Sequence, residues 1–273
     1  MIPVVGELLK ELEIRYQGGI EVTHPNRQKF SESLFNPTFK SWLYGTSKNN
    51  MKTYYADSLS AHRLKQCYDL APPRVRQYLN EEINFVRRRI QPGQRVLELG
   101  CGYGRVLKAL SPENELLVGI DNSLSSLQFG KNEIITSERT LLLCMDAGKL
   151  GFQDHAFDVV FCIQNGISAL GLEPEVLIQE ALRITKPAGK IILSSYSEKF
   201  WEERLNWFRI QAEHELIGEI DDNSTGDGII ICKDGFKATT FTRNQFAKLL
   251  SRLGNDCDIY EVDESSIICE IRA

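Results

Sequence analysis

The chain has 273 residues, 42% of them hydrophobic and 25% charged, and a net charge of −5. That is enough apolar material for a sizeable core, yet no run approaches the ~18 continuous apolar residues of a membrane span. The acidic balance argues against a duplex nucleic acid partner, since binding to one rests largely on Lys and Arg contacts to phosphate.

In chain order, Met1–Arg15 reads as an acidic amphipathic helix rather than a signal peptide, so a cytoplasmic location is expected. Up to about residue 70 the chain alternates aromatic and polar helix-like pieces, broken at Gly18-Gly19, His24-Pro25 and Asn36-Pro37. Within this stretch Met51–Leu70 is expected to be helical. Pro72-Pro73 opens a further helix to about Ile90, with Val75, Leu79, Ile83 and Val86 at helical spacing. After Pro92-Gly93, strand alternates with helix, as a doubly wound sheet requires. Strands are expected near 95–99, 116–120, 141–144, 157–162 and 190–195, and helices near 103–110, 123–136, 173–185 and 198–214. Lys186-Pro187-Ala188-Gly189 breaks the chain before the fifth strand. Residues 216–241 read as an inserted acidic turn and a hairpin around Asp234-Gly235. Thr242 then caps a helix that Gly254 ends. Two last strands, near 258–262 and 266–272, are separated only by Asp263-Glu264-Ser265, too short a link for anything but an antiparallel pair. The expected architecture is an α/β domain over 74–273. It is a doubly wound, seven-stranded, mostly parallel sheet with a C-terminal antiparallel hairpin, preceded by an N-terminal helical cap over 1–73.

The seven cysteines are scattered without a Cys-x-x-Cys pair and read as reduced thiols. The four histidines are equally dispersed, and no metal site is expected. Arg87-Arg88-Arg89 reads as a solvated helix face.

The chemistry concentrates at Val96-Leu97-Glu98-Leu99-Gly100-Cys101-Gly102-Tyr103-Gly104. An apolar strand runs into a turn stripped of Cβ atoms, where backbone can approach a ligand, and a helix follows at once. The next strand ends in Asp121, about twenty residues past Gly100, where a βαβ unit delivers an acid to ribose hydroxyls. A dinucleotide site would place its third glycine at 105, which is Arg. The segment resembles instead the glycine-rich motif of class I S-adenosylmethionine-dependent methyltransferases, a Rossmann-like family. The resemblance runs over about residues 74–200 through several spaced motifs.

It implies S-adenosylmethionine as cofactor, with S-adenosylhomocysteine as product, and a set of binding residues. Gly100, Cys101, Gly102 and Gly104 would carry the methionine end, its charged groups met by backbone, while Glu98 either contacts the amino group or braces the turn. Asp121 resembles the ribose-binding acid, with Asn122 beside it; its other role would be a helix cap. Met145 would lie on the adenine face, Asp146 on its exocyclic amine and Ala147 beside the ring. After the fourth strand, whose end touches both cofactor and substrate in the family, Gln164 would reach the cofactor and, with Asn165, orient substrate, unless the two only brace their loop. The cap would bring Tyr55 to the cofactor and Tyr54 to the acceptor, unless both only pack the cap. The family has no fixed catalytic residue, and none is assigned. The expected function is methyl transfer by in-line displacement to a small-molecule acceptor, in a monomer or homodimer with no membrane partner. A protein or RNA methyltransferase and a non-catalytic S-adenosylmethionine binder are the alternatives.

Overall fold

A computed structural model describes residues 34–35, 54, 58–110, 116–137 and 139–273. Seven strands form one sheet in the order β3-β2-β1-β4-β5-β9-β8. They are β1 (Arg95–Leu99), β2 (Leu116–Asp121), β3 (Thr140–Cys144), β4 (Phe157–Cys162), β5 (Thr185–Tyr196), β8 (Cys257–Val262) and β9 (Ser266–Arg272). The β1, β2, β3, β4 and β5 neighbours pair in parallel, whereas β9 runs antiparallel between β5 and β8. A separate two-stranded ribbon joins β6 (Ile230–Ile231) and β7 (Lys237–Ala238).

Successive strand residues face opposite ways, and both faces are apolar, as parallel strands covered by helices require. Leu97, Val118, Val160 and Ile191 pack on one face with α5 (Gly166–Ala169), α6 (Pro174–Ile184) and α8 (Arg243–Leu253). Val96, Leu117, Val159 and Ile192 pack on the other with α2 (Pro73–Arg87) and α3 (Arg105–Leu110). Leu34 is buried in the first of these cores, and Phe35 stacks on Phe152 at 5.6 Å. A third apolar cluster joins the start of α2, α1 (His62–Asp69), α7 (Trp201–Glu213) and the β6–β7 ribbon.

Local sequence explains the element ends. Thr242 and Gln245 close a reciprocal capping box on α8, and Gly254 ends that helix in the left-handed region. The expected helix over 123–136 is instead α4 (Leu124–Phe129) followed by one π-turn at Gly130–Ile134. Gly130 lies so close to the Tyr103 carbonyl that a Cβ would stand 2.4 Å from its oxygen. The expected helix over Met51–Leu70 is interrupted: Tyr54 is helical, residues 58–61 are not, and α1 begins at His62, because Ala61 sits at φ 52° and cannot continue a helix backward. The fifth strand starts earlier than expected: residues 185–189 join β5 through a register shift against β4, with Ala188 at φ 62°. The Met1–Arg15 helix expected from sequence lies outside the described residues.

α1 is fastened at both ends. Arg63 donates to the carbonyls of Glu215 (2.7 Å) and Leu216 (3.0 Å), and the Ala61 amide donates to Ser126 Oγ (2.9 Å). From α7, Trp207 Nε1 donates to the Cys67 carbonyl at 2.9 Å. The short ribbon is held by Arg204 of α7, which donates to the carbonyls of Gly228 and Ala238 and to Thr240 Oγ1.

Candidate functional site

The chain runs outward from β1 to β2 and β3, then crosses back to β4 on the other side of β1. That reversal opens a crevice beyond the carboxyl ends of β1 and β4, the place where open α/β sheets bind ligands. An empty volume of about 1120 Å³, counting its open mouth, occupies this crevice. One lobe is bounded by the glycine turn after β1 and by Asp121, Asn122 and Ser123 after β2; the other is aromatic, with Tyr68, Tyr78, Tyr196 and Trp207. Glu98, Arg105 and Gln164 border the same space.

Gly100, Gly102 and Gly104 adopt φ of 73°, 53° and 81°, values that suit glycine. Contacts also bar a Cβ at Gly100, where it would stand 2.8 Å from Leu170, while Leu64 of α1 sits over Gly102. Gly104 does not border the cavity; it faces Ile135 and Leu142 and lets α3 pack. The turn's amides are largely committed inward. Those of Gly100 and Cys101 both donate to the Ile120 carbonyl at 2.9 Å, Gly102 donates to Asp121 Oδ2 at 2.8 Å, and Gly104 to the Cys101 carbonyl at 2.8 Å.

Asp121 therefore braces the turn through one oxygen and accepts from the Ser123 amide (2.8 Å) through the other. Each carboxylate oxygen keeps acceptor capacity toward the cavity. Burial raises its pKa, against three backbone donors that lower it. Ser123, not Asp121, caps α4.

Glu98 is 5% exposed, and its Oε2 has no hydrogen-bond partner. Burial pushes its pKa up to about 8, with Arg105 working against that and Asp121 adding to it. Arg105 stacks its guanidinium over the Tyr68 ring at 4.4 Å, and its Nε and Nη2 are buried without partners.

Gln164 and Asn165 follow β4 with φ of 58° and 62°, a pair of left-handed residues that neighbouring groups hold in place. The Gln164 amide is shared by Glu82 Oε2 (2.7 Å) and Ser194 Oγ (2.8 Å). Its side chain accepts from Tyr68 Oη at 3.2 Å, and its Nε2 is unpartnered. Asn165 is committed to the scaffold, accepting from Ser195 Oγ (2.6 Å) and donating to the Thr239 carbonyl (2.8 Å). Glu82, fully buried on α2, also accepts from Ser266 Oγ at 2.8 Å, and burial lifts its pKa to about 7.

Of the residues singled out in the sequence, Glu98, Gly100, Cys101, Gly102, Asp121, Asn122 and Gln164 share this cavity. Met145 and Ala147 are buried after β3, and Asp146 is exposed there, accepting from the Gly148 amide at 2.8 Å; none of the three borders the cavity. Tyr54 is on the ribbon, bonded to Asp234 Oδ2 at 2.6 Å and packed on Phe236. Tyr55 lies outside the described residues. Sequence reading missed Arg105, Glu82 and the aromatic lobe. Arg105 was in view immediately after the last motif glycine, but as a mismatch to dinucleotide spacing rather than as a charge. Glu82 carried no signal beyond an acid on the apolar face of an amphipathic helix.

S-adenosylmethionine fits these groups. An acid with free acceptor capacity stands where ribose hydroxyls would lie, and an unpaired carboxylate and guanidinium stand beside the turn that would carry the amino-acid end. Comparison with known proteins agrees. Residues 97–193 match the family model described as a methyltransferase domain. A demethylmenaquinone methyltransferase of Clavibacter sepedonicus is 32% identical over 105 residues, 38% of this chain and 42% of that protein. A ubiquinone biosynthesis O-methyltransferase of Coxiella burnetii is 25% identical over 141 residues, 51% of this chain and 56% of that protein. The chain thus spans about half the length of the curated relatives it matches. In fold it is similar to a solved protein of Pyrococcus horikoshii, with TM-score 0.56, 20% identity, and coverage of 80% of this chain and 97% of that one. Over residues 97–193 the chain is thus similar to methyltransferase domains, carried here on a seven-stranded α/β sheet. Among the described residues, no helix is long and apolar enough to cross a membrane, and no group of metal-ligating side chains gathers.

Proposed function

We propose that this chain moves a methyl group from S-adenosylmethionine to a small-molecule acceptor by in-line displacement. The observation that carries the reading is continuity. The glycine turn and Asp121 border the same cavity as the aromatic side chains of α1, α2, β5 and α7, so donor and acceptor would share one space. A protein or RNA acceptor would need an open groove there. The names of the curated relatives point the same way, toward small organic acceptors.

When bound, the cofactor supplies a methyl group activated on a sulfonium. The chain's residues then have to hold, orient and exclude water, work that contributes ~7–11 kcal/mol of barrier lowering in well-positioned reactions. In this reading Asp121 and Asn122 hold the ribose, and Gly100, Cys101 and Gly102 carry the methionine end. Gln164, fixed through Glu82, Ser194 and Tyr68, presents its free amide N–H to the acceptor. Tyr68, Tyr78, Tyr196 and Trp207 enclose the acceptor with ring faces and keep water out. Met145, Asp146 and Ala147, which follow β3 and do not border the cavity itself, would serve the adenine beside it. Tyr54 and Asn165 act by fixing the ribbon and the end of β4 rather than by touching substrate. We assign no general base. Residues 1–73 serve as the cap over 74–273, and seven free thiols are in keeping with a cytoplasmic setting.

Calorimetric titration of S-adenosylmethionine and NAD, with Asp121→Ala beside the wild type, tests the cofactor. S-adenosylmethionine is expected to bind, NAD not to, and the variant to lose at least about tenfold in affinity. Release of S-adenosylhomocysteine is then followed with metabolites below about 1 kDa and, separately, with protein and RNA. Turnover only on macromolecules would overturn the small-molecule reading, and preference for NAD would overturn the cofactor.

A further inference from the structure

We infer that the methyl acceptor is a flat ring compound bearing hydrogen-bond-accepting oxygens, a phenol or ring carbonyl rather than an amine, and that Tyr78 Oη and Gln164 Nε2 select it. This rests on the proposed function above and adds to it the class of acceptor and the residues that choose it.

The observation is a pair of polar atoms left without partners where the cavity is aromatic. Tyr78 is fully buried on α2, and its hydroxyl has no hydrogen-bond partner. Gln164 is held through its backbone amide by Glu82 and Ser194 and through its side-chain oxygen by Tyr68, which leaves Nε2 buried and unmet. Both residues border the cavity, as do Tyr68, Tyr196 and Trp207. Leaving two such groups unmet is costly, and a ligand that meets them recovers the cost.

The character of the free atoms sets the class. An amide N–H only donates, and a tyrosine hydroxyl donates as well as accepts. Glu82 offers a ligand no counter-charge here: it already accepts from the Gln164 amide and Ser266 Oγ, and it does not border the cavity. Glu98 Oε2 is free, but Glu98 lies on β1 just before the glycine turn, among the groups that would hold the cofactor. A protonated amine brings donors alone and would leave the Gln164 N–H unmet. It would also face two guanidinium groups, since Arg105 stands over the Tyr68 ring and Arg204 over the Tyr196 ring, each at 4.4 Å. Two of the rings that would attract an ammonium therefore already hold a cation. Oxygens on a ligand meet the donors and gain from the same charges. The ring shape follows from the walls: Tyr78 and Tyr196 lie 5.3 Å apart and Tyr68 and Trp207 6.1 Å apart, presenting faces and edges to a flat ligand.

Two flat probes of equal size separate the classes. 7-Hydroxycoumarin carries a phenol and a ring carbonyl, and tryptamine carries an ammonium. Each is titrated by calorimetry into the full chain saturated with S-adenosylhomocysteine, as wild type, Tyr78→Phe and Gln164→Glu. The wild type is expected to bind 7-hydroxycoumarin at least about tenfold more tightly than tryptamine. Tyr78→Phe is expected to weaken 7-hydroxycoumarin about five- to tenfold. The thermal midpoint of that ligand-free variant should not fall, because the lost hydroxyl bonds nothing in the fold. Gln164→Glu keeps an oxygen for Tyr68 but replaces the free donor with an acceptor, and it is expected to narrow or invert the preference over tryptamine. The inference is overturned if 7-hydroxycoumarin shows no saturable binding, if tryptamine binds as tightly, or if Tyr78→Phe binds 7-hydroxycoumarin like the wild type. It is equally overturned if Tyr78→Phe lowers the midpoint and loses S-adenosylhomocysteine as well, which marks a structural role. A wild type that binds no S-adenosylhomocysteine, or that turns over only on macromolecules, overturns the proposed function itself, a result distinct from these.

Discussion

Two carboxyl groups carry an unusual load in this molecule. Glu82 and Glu98 are buried, and burial lifts them to about 7 and about 8 from an ordinary value of 4.5. Arg105 faces both and lowers each; Asp121 faces Glu98 and raises it; Ser194, Ser266 and the Gln164 amide hydrogen-bond Glu82. Their linkage to folding has a definite sign. Between the unfolded and folded values the native state holds a proton that the unfolded chain has released. Stability from these groups is therefore fully present below about pH 4.5 and is lost as pH rises through about 7 and then 8. The thermal midpoint of the ligand-free protein is expected to fall by several degrees between pH 5 and pH 8, and Glu82→Gln is expected to flatten the slope. A midpoint that rises over that interval, or a variant with the wild-type slope, would show that the two groups do not hold these protons.

Among the elements, α1 brings two side chains to the site while burying little of itself. It has eight residues, too short to be stable alone, and of its own residues only Cys67 is buried. Its hold comes from Arg63 on the carbonyls of Glu215 and Leu216, Trp207 on the Cys67 carbonyl, and Ala61 on Ser126. It contributes Leu64 over Gly102 and Tyr68 under the Arg105 guanidinium. Arg63→Ala is accordingly expected to cost about 1–3 kcal/mol in local opening of α1, read as faster amide exchange across residues 62–69. S-adenosylhomocysteine affinity should fall severalfold with it. Exchange confined to α1, with β1 and β4 unchanged, is the pattern that identifies it as a roof fastened from outside.

At the scale of the whole molecule, the cavity is formed by elements far apart in the chain. β1 and β2 supply one lobe, whereas α1, α2, β5 and α7 supply the aromatic one, and β9 reaches in through Ser266 to hold Glu82. A ligand bound in this cavity should therefore stabilise the fold as a unit. S-adenosylhomocysteine at a hundred times its dissociation constant adds ~2.7 kcal/mol, which at roughly 2–4 °C per kcal/mol raises the thermal midpoint by about 5–10 °C. A differential scan with and without ligand reads this as one transition moving up. A second, unmoved transition would mean that cap and sheet melt apart.

What the sequence determined by itself is the part of the molecule in which neighbours along the chain are neighbours in space. The glycine turn after an apolar strand, Asp121 one βα unit later, the Thr242 cap with its Gly254 stop, and the three-residue link between β8 and β9 all act over short distances. The mostly parallel sheet and its closing hairpin followed from them, and with them the cofactor, whereas the strand order came from the fold. Tertiary structure decided the rest. That Asn165 is spent on Ser195 and Thr239 while Gln164 faces the cavity depends on two left-handed residues pinned by β5, α2 and the ribbon. That Arg105 keeps one edge of its guanidinium free depends on Tyr68, contributed by a helix 37 residues earlier in the chain. Polar side chains alternate between bracing and binding according to which partners the fold brings within 3 Å, and a linear pattern of residue types does not carry that distance.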